Sequence, residues 1–528
     1  MSSQNGLVCF TNCFLPQEDG SLLEKDLWID ERRGVILDAQ VKRERPDKVI
    51  DLGGNILRRV NMVPELPGVI LPDFNVSSSP GLIDIQINGA YGFDFSVFDG
   101  DDDVYQSNLK DVAERIVETG TQERSVYPKI LRLLRPFATV TSATVLGWHA
   151  EGPFIDMAKR GAHAPSFLVS APEGIKSFEE LYGAENLADS EDWLMSTGSE
   201  SGVRIITAAP EVPGVMGTVE ELTKRGVIFS IGHSIATSDI AIAAVQHGAR
   251  LITHLFNAMP QLHHRDPSII GLLGASPHLY SPFSPITSKA LYTGDVMSPI
   301  ALTPMKPNKS SITGLKSPVG SEALDEVETP PQTPIFKAHS GKNSTLKNTQ
   351  SIAGFSLDSS EFTRPFYEMI VDGVHSHPNS VRLAYSSYPE GCILITDGKD
   401  IEFSRLSIQV DLICIAMKIL DPNLRDGVHE WRDGKRFVKE GDKLYLEGTD
   451  TLAGSVVTLD KCVRNFTRFT GCTLAESIKC ATYNPAKCLG IENQKGTLRS
   501  GADADLVVFD AQGVVQSTWV KGKRVWTR

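Results

Sequence analysis

Four apolar, β-prone runs in this chain each end in an ionisable side chain, and that repetition constrains the fold more than any other feature. Thr144-Val-Leu-Gly-Trp148 leads into His149-Ala-Glu-Gly-Pro-Phe154, where Gly152-Pro153 stops the run and leaves Glu151 at its C-terminal edge. Val227-Ile-Phe-Ser-Ile-Gly-His233 and Arg250-Leu-Ile-Thr-His254 end in histidine, and Gly391-Cys-Ile-Leu-Ile-Thr-Asp397 ends in aspartate. Helical signals alternate with these runs. Ser107 reads as a cap for a helix with Leu109, Val112, Ile116 and Val117 on one face, and Thr237-Ser238 as a cap for Asp239 to His247. Thr473 and Glu476 fit a capping box opening a helix from Leu474 to Thr482. Alternating β and α elements demand a parallel sheet with crossovers. The expected class is therefore α/β, a TIM (β/α)8 barrel, in which C-terminal strand ends carry the chemistry.

Both ends of the chain read as further strands: Gly6-Leu-Val-Cys-Phe10 and Asp26-Leu-Trp-Ile29 at the start, Ala504-Asp-Leu-Val-Val-Phe509 near the finish. Ser517-Thr-Trp-Val520 and Lys523-Arg-Val-Trp526 flank a Lys521-Gly522 pair suited to a hairpin turn. A small β-sandwich domain built from both termini is expected, with residues 1–79 and 491–528 flanking a barrel over 80–490. The 528 residues suffice for both. Residues 276–360 break the pattern, being rich in Ser, Pro, Thr and Lys with weak periodicity. They read as a disordered, solvated insertion. Ser-Pro or Thr-Pro pairs begin there at Ser276, Ser281, Ser284, Ser298, Thr303, Ser317, Thr329 and Thr333, and make a proline-directed kinase an expected partner.

A net charge of -13 argues against nucleic acid or an anionic membrane as partner. The eight scattered cysteines suit a reducing compartment. The N-terminus lacks a basic stretch followed by an apolar one, and no run approaches a membrane span, so the cytoplasm is expected.

Glu151, His233 and His254 form a nitrogen-and-carboxylate set of the kind a zinc-type ion prefers, leaving one position open for water. Asp397, a fourth strand-end acid, is placed to take a proton from that water and pass it to a leaving nitrogen. In the polar turn after His254, the Asn257 side chain and the Ala258 backbone N–H can donate to an anionic oxygen. Arg265 is either a phosphate fork or half of a surface ion pair. His375, in Asp372-Gly-Val-His375, either polarises a carbonyl or is an ordinary loop histidine.

Several motifs occur in order: Pro80-Gly-Leu-Ile-Asp-Ile-Gln-Ile-Asn-Gly89, His149-Ala-Glu-Gly-Pro-Phe154, Gly232-His-Ser234, Thr253-His-Leu-Phe-Asn-Ala-Met259 and Asp372-Gly-Val-His375. Leu452-Ala-Gly-Ser455, Lys495-Gly-Thr-Leu498 and Gly501-Ala-Asp-Ala-Asp-Leu506 follow. With them the chain resembles the N-acetylglucosamine-6-phosphate deacetylases of the amidohydrolase superfamily, in their eukaryotic form, over most of its length. The resemblance implies a dimeric TIM barrel with a β-sandwich, hydrolysing N-acetyl-D-glucosamine 6-phosphate to D-glucosamine 6-phosphate and acetate in amino-sugar catabolism. It implies that Glu151, His233 and His254 hold the metal and Asp397 is the acid/base. By the same resemblance His375 contacts the acetamido carbonyl, while Asn257, Ala258, His163 and Arg265 bind the sugar phosphate, Arg265 reaching the neighbouring subunit's site. Many amidohydrolases place His-x-His on the first strand for a second metal; here Gln86 and Asn88 stand there, and amides are poor zinc ligands. One divalent ion per subunit, zinc, is expected. A cyclic-amide hydrolase of dihydroorotase or hydantoinase type would need two metals. A catalytically impaired scaffold is the remaining alternative.

Three departures from the family pattern bear on that alternative. Gly398 to Ile415 intervenes directly after Asp397, beginning with a Gly-Lys pair whose codons can spell an intron donor, and reads as retained untranslated sequence. Residues 58–78 read as a second, weaker insertion. After Glu118-Thr-Gly120 the chain goes to Gln122-Glu-Arg-Ser instead of a second barrel strand, and losing one strand would leave unpaired edges.

Overall fold

The apolar runs that end in Glu151, His233, His254 and Asp397 lie in one parallel sheet. A computed structural model describes residues 5–38, 45–52, 77–86, 89–90, 93–94, 101–115, 143–144, 146–161, 163, 165, 168–187, 202–274, 364–397, 425–430, 436–441, 443–449, 452 and 455–528. All of these belong to one compact unit, Met1–Ser281 with Phe362–Arg528. The sheet has six strands in chain order: Trp148–Glu151, Val203–Ala208, Ile228–Ile231, Leu251–Ile252, Phe366–Ile370 and Cys392–Ile395. Every neighbouring pair is parallel, with Glu151 opposite Thr207, Thr207 opposite Ser230, and Ile231 opposite Ile252.

These strands are buried on both faces, as a parallel sheet covered by crossover helices must be. The two-residue alternation of a strand then sorts side chains between two cores. Ile206, Phe229, Ile252 and Leu394 pack outward against helix residues such as Leu222, Ala241, Ala244, Val381 and Ala384. Ile205, Leu251, Phe366, Ile370 and Ile393 pack on the other face with Ile83, Ile85, Cys488 and Ile491. The segment 82–86 touches both edges of the sheet. Asp397 N–H donates to the Gln86 carbonyl at 3.0 Å, Thr396 Oγ1 donates to Asp84 at 2.6 Å, and His149 Nδ1 lies 2.9 Å from the Ile85 carbonyl.

Strands from both chain ends form two further sheets. One joins Val35–Leu37, Leu27–Asp30, Leu7–Thr11 and Lys48–Asp51; the other joins Lys523–Thr527, Val515–Val520, Leu506–Phe509, Ser77–Pro80, Phe14–Pro16 and Leu22–Glu24. They share a core of Val8, Phe10, Leu15, Ile29, Leu506 and Trp519. The expected hairpin forms at Lys521 and Gly522, whose φ values of 45° and 77° are those a type I′ turn requires. Buried Lys495 pairs with Asp505 at 2.6 Å, and Asp505 also accepts the Lys521 N–H, tying that turn to the preceding loop.

Three local expectations are corrected. The Glu151 strand ends at Glu151 as expected but starts at Trp148 and not at Thr144, because Gly147 at φ 144° interrupts the extended backbone. Ser107 lies inside the helix Asp102–Arg115, whose first N–H groups are accepted by Asp101. Thr237 occupies the cap position of Ser238–Gln246 without a side-chain bond; Asp266 accepts the Ser238 N–H and hydroxyl instead. The Thr473–Glu476 capping box is present and opens Leu474–Cys480. Ser77 and Ser78 pair with Phe509 and Val508; residues 58–76, 121–142, 276–360 and 398–415 lie outside the described residues. Among the described residues no helix is long and apolar enough to cross a membrane.

Candidate metal centre

Just beyond three strand ends the chain turns through positive φ at residues that are not glycine: His233 at 49°, His254 at 26° and Asp397 at 45°. Such backbone persists only where its surroundings enforce it, and it concentrates at functional sites. Glu151, at the end of its own strand, meets the two histidines. Its Oε1 lies 2.8 Å from His233 Nε2 and 2.9 Å from His254 Nε2, and the two nitrogens are 3.1 Å apart. All three side chains are buried.

The hydrogen-bond pattern around this cluster suits it to hold a cation. His233 Nδ1 lies 2.7 Å from the Lys159 carbonyl and must donate to it, which leaves the neutral ring's lone pair on Nε2, facing an anionic oxygen. Lone pairs converging at that range need a cation between them, either a proton or a metal. Tetrahedral bonds of 2.0–2.1 Å would set such atoms about 3.3 Å apart, close to the triangle present. Glu151, His233 and His254 therefore fit a divalent metal, and among the described residues they are the cluster with that geometry.

The surrounding charges are consistent with this. Burial pushes the Glu151 carboxyl upward, but hydrogen bonds to His233 and His254 overcome it and hold it well below the usual range. Burial pulls His254 down, and its bond to Glu151 reverses the shift to a net rise in the metal-free chain. His149, two residues before Glu151, is brought down to about 4 by burial and is neutral. Glu368, fully buried, is pushed well above the carboxylate range by burial and then by the charges of Glu151, Asp397 and Asp84.

Of the other expected site residues, His163 packs edge-on against His233 with ring centroids 4.9 Å apart, and the Arg160 carbonyl lies 2.7 Å from its Nδ1. Asp397 lies near enough for its charge to raise His254. The turn from His254 to Ala258 folds back over the His233 loop, since Asn257 N–H donates to the His254 carbonyl and the Ala258 carbonyl accepts from Ser234. His375 is gripped by Asp372, which takes its backbone N–H at 2.8 Å and lies 2.6 Å from Nδ1. Arg265 stands exposed on the loop beyond. Gln86 is buried, and neither polar atom of its amide has a partner among the described residues; Asn88 lies outside them.

The amidohydrolase family profile matches residues 337–525. The N-acetylglucosamine-6-phosphate deacetylase of Bos taurus is 33% identical over 540 residues, covering 98% of this chain and 96% of its own. The Homo sapiens protein of the same name is 33% identical over 537 residues, covering 98% and 95%. This chain belongs to the N-acetylglucosamine-6-phosphate deacetylase family. A mutant deacetylase from Mycobacterium smegmatis, solved in complex with N-acetyl-D-glucosamine-6-phosphate, matches it with a TM-score of 0.58 at 20% identity over 99% of both chains. That likeness is one of fold alone.

Within this deacetylase-family frame, sequence reasoning missed the polar residues beneath the ligands: His149, Thr207, Ser230, Thr253 and Glu368. Two of them carried a signal. His149 is two residues from Glu151 and so on the same strand face. Glu368 is a lone charge inside the apolar run Pro365-Phe-Tyr-Glu-Met-Ile-Val371.

Proposed function

We propose that this chain hydrolyses the acetamide of N-acetyl-D-glucosamine 6-phosphate, giving D-glucosamine 6-phosphate and acetate in amino-sugar catabolism. The observation that carries the proposal is the buried Glu151–His233–His254 triangle, with edges of 2.8, 2.9 and 3.1 Å, inside a chain of the deacetylase family. These residues would hold one divalent ion per subunit, zinc by its nitrogen-and-carboxylate donors. When bound, it supplies Lewis acidity that makes water nucleophilic near neutral pH. A second ion is disfavoured because Gln86 and Asn88 offer amides.

Asp397 takes the proton released as water attacks and delivers it to the nitrogen, and the C–N bond breaks with a neutral amine as leaving group. The acetic acid formed passes its remaining proton to that amine or to solvent, leaving acetate. His375 orients the acetamide oxygen; with Nδ1–H given to Asp372, donation from Nε2 requires a second proton on the ring. His163, Asn257, the Ala258 N–H and Arg265 bind the sugar phosphate. Arg265, exposed on its loop, serves the neighbouring site in a homodimer. Segment 82–86 closes the six parallel strands into a TIM barrel over 80–490, and the sheets from both termini, 1–79 and 491–528, form its β-sandwich. The protein acts in the cytoplasm, without nucleic acid or membrane, and the 276–360 segment is a substrate for a proline-directed kinase.

The test is to count zinc per chain and compare turnover of N-acetylglucosamine 6-phosphate, unphosphorylated N-acetylglucosamine and dihydroorotate. One ion and a strong preference for the phosphorylated sugar are expected. Two ions with turnover of the cyclic amide would overturn the proposal, and a chain that holds zinc but turns over none of the three is an impaired scaffold.

A further inference from the structure

Beneath the three ligands the interior of the sheet is polar where barrel interiors are ordinarily filled by Val, Ile and Leu. His149 Nδ1 lies 2.9 Å from the Ile85 carbonyl and must donate to it, so Nε2 is an acceptor. Nε2 lies 2.7 Å from Thr207 Oγ1, which therefore gives its one proton to the ring. Thr207 can then only accept from Thr253 Oγ1, 2.5 Å away, and Thr253 in turn accepts from Ser230 Oγ at 2.6 Å. A single carbonyl thus orders the whole chain in one direction, from Ser230 through Thr253 and Thr207 to His149. All four side chains are buried.

The chain of hydroxyls joins the same strands that carry the ligands. His149 precedes Glu151 by two residues, Ser230 precedes His233 by three, and Thr253 adjoins His254. In the backbone register Thr207 stands opposite both Glu151 and Ser230. The ladder between the Ile228–Ile231 and Leu251–Ile252 strands has only two pairs, so the side chains add a tie where the backbone gives least. Gly232 passes directly over this layer: a Cβ there would meet Thr207 Cγ2 and Thr253 Cβ, each at 2.7 Å. We infer that Ser230, Thr253, Thr207 and His149 are positioning residues, a directional hydrogen-bond chain that fixes the separations of Glu151, His233 and His254 and thereby sets metal affinity. This rests on the metal-centre reading of those three residues.

Thr207→Val keeps the shape at the centre of the chain and removes its hydroxyl; Thr207→Ser keeps the hydroxyl. For both variants and the unmodified full chain, zinc affinity is measured by competition with a chelator, alongside kcat, KM and thermal melts of the metal-free forms. Thr207→Val is expected to weaken zinc binding about tenfold or more and to lower kcat with KM unchanged, and Thr207→Ser to restore both. A Thr207→Val protein with zinc affinity within about twofold of the unmodified chain, even if it melts lower, overturns the inference, because the hydroxyl is then merely structural. Should that variant not fold, Ser230→Ala at the donor end takes its place with the same two outcomes in zinc affinity. An unmodified chain that binds no zinc would overturn the metal-centre reading itself, and this inference with it.

Discussion

Asp397 has its backbone fixed by the Gln86 carbonyl at 3.0 Å, and its charge reaches His254. Asp397→Asn preserves that backbone bond and removes the proposed base. We predict a fall in kcat of roughly 10²–10⁴-fold, in steady-state kinetics, with zinc content unchanged. Glu368 differs in kind: burial raises its carboxyl well above the usual range in the metal-free fold, so the fold keeps that proton to higher pH than the unfolded chain does. The folded state therefore binds one more proton, and stability declines as pH rises from the ordinary glutamate value of about 4.3 toward the raised folded value. Glu368→Gln removes that loss. In chelator its melting temperature should exceed the parent's at pH 7 and approach it at pH 4; an equal gap at both would contradict the account. The positions of Glu151, His233, His254 and Asp397 at or just beyond strand ends were legible in the sequence because each closes an apolar run. The Thr207 chain was not, since hydroxyls are common in strands and its contacts span 58, 46 and 23 residues.

Elements behave similarly: what is local could be read, and what arrives from elsewhere could not. The Thr473–Glu476 box closes within one turn and was foreseen. The cap of Ser238–Gln246 comes from Asp266, 28 residues on, which also accepts the Ser268 N–H at 3.0 Å. That carboxylate pins both the helix start and the loop bearing Arg265. Asp266→Ala should cost about 1–2 kcal/mol in chemical denaturation and raise KM for the phosphosugar, whereas Thr237→Ala, at the nominal cap, should be nearly silent. If the two variants proved equally costly, the assignment of the cap to Asp266 would fail. The Trp148–Glu151 strand shows the other limit, because Gly147 shifts its start in a way that apolar content does not register.

For the whole molecule, a net charge of -13 opposes an anionic substrate at long range, so the phosphate must be met by local donors. The family and the parallel sheet were legible because motifs and strand-ending ligands recur in order. The arrangement of the terminal sheets was not, since it depends on pairings such as Leu7–Thr11 with Lys48–Asp51 and Ser77–Pro80 with Leu506–Phe509. Deacetylation of a phosphorylated amino sugar by this chain is proposed to depend on a metal held by Glu151, His233 and His254. The most direct test is acetate release from N-acetylglucosamine 6-phosphate by the purified full chain, with chelator and after zinc is restored. Turnover that chelator abolishes and zinc recovers is the predicted result. No acetate from a folded, zinc-loaded chain would contradict it.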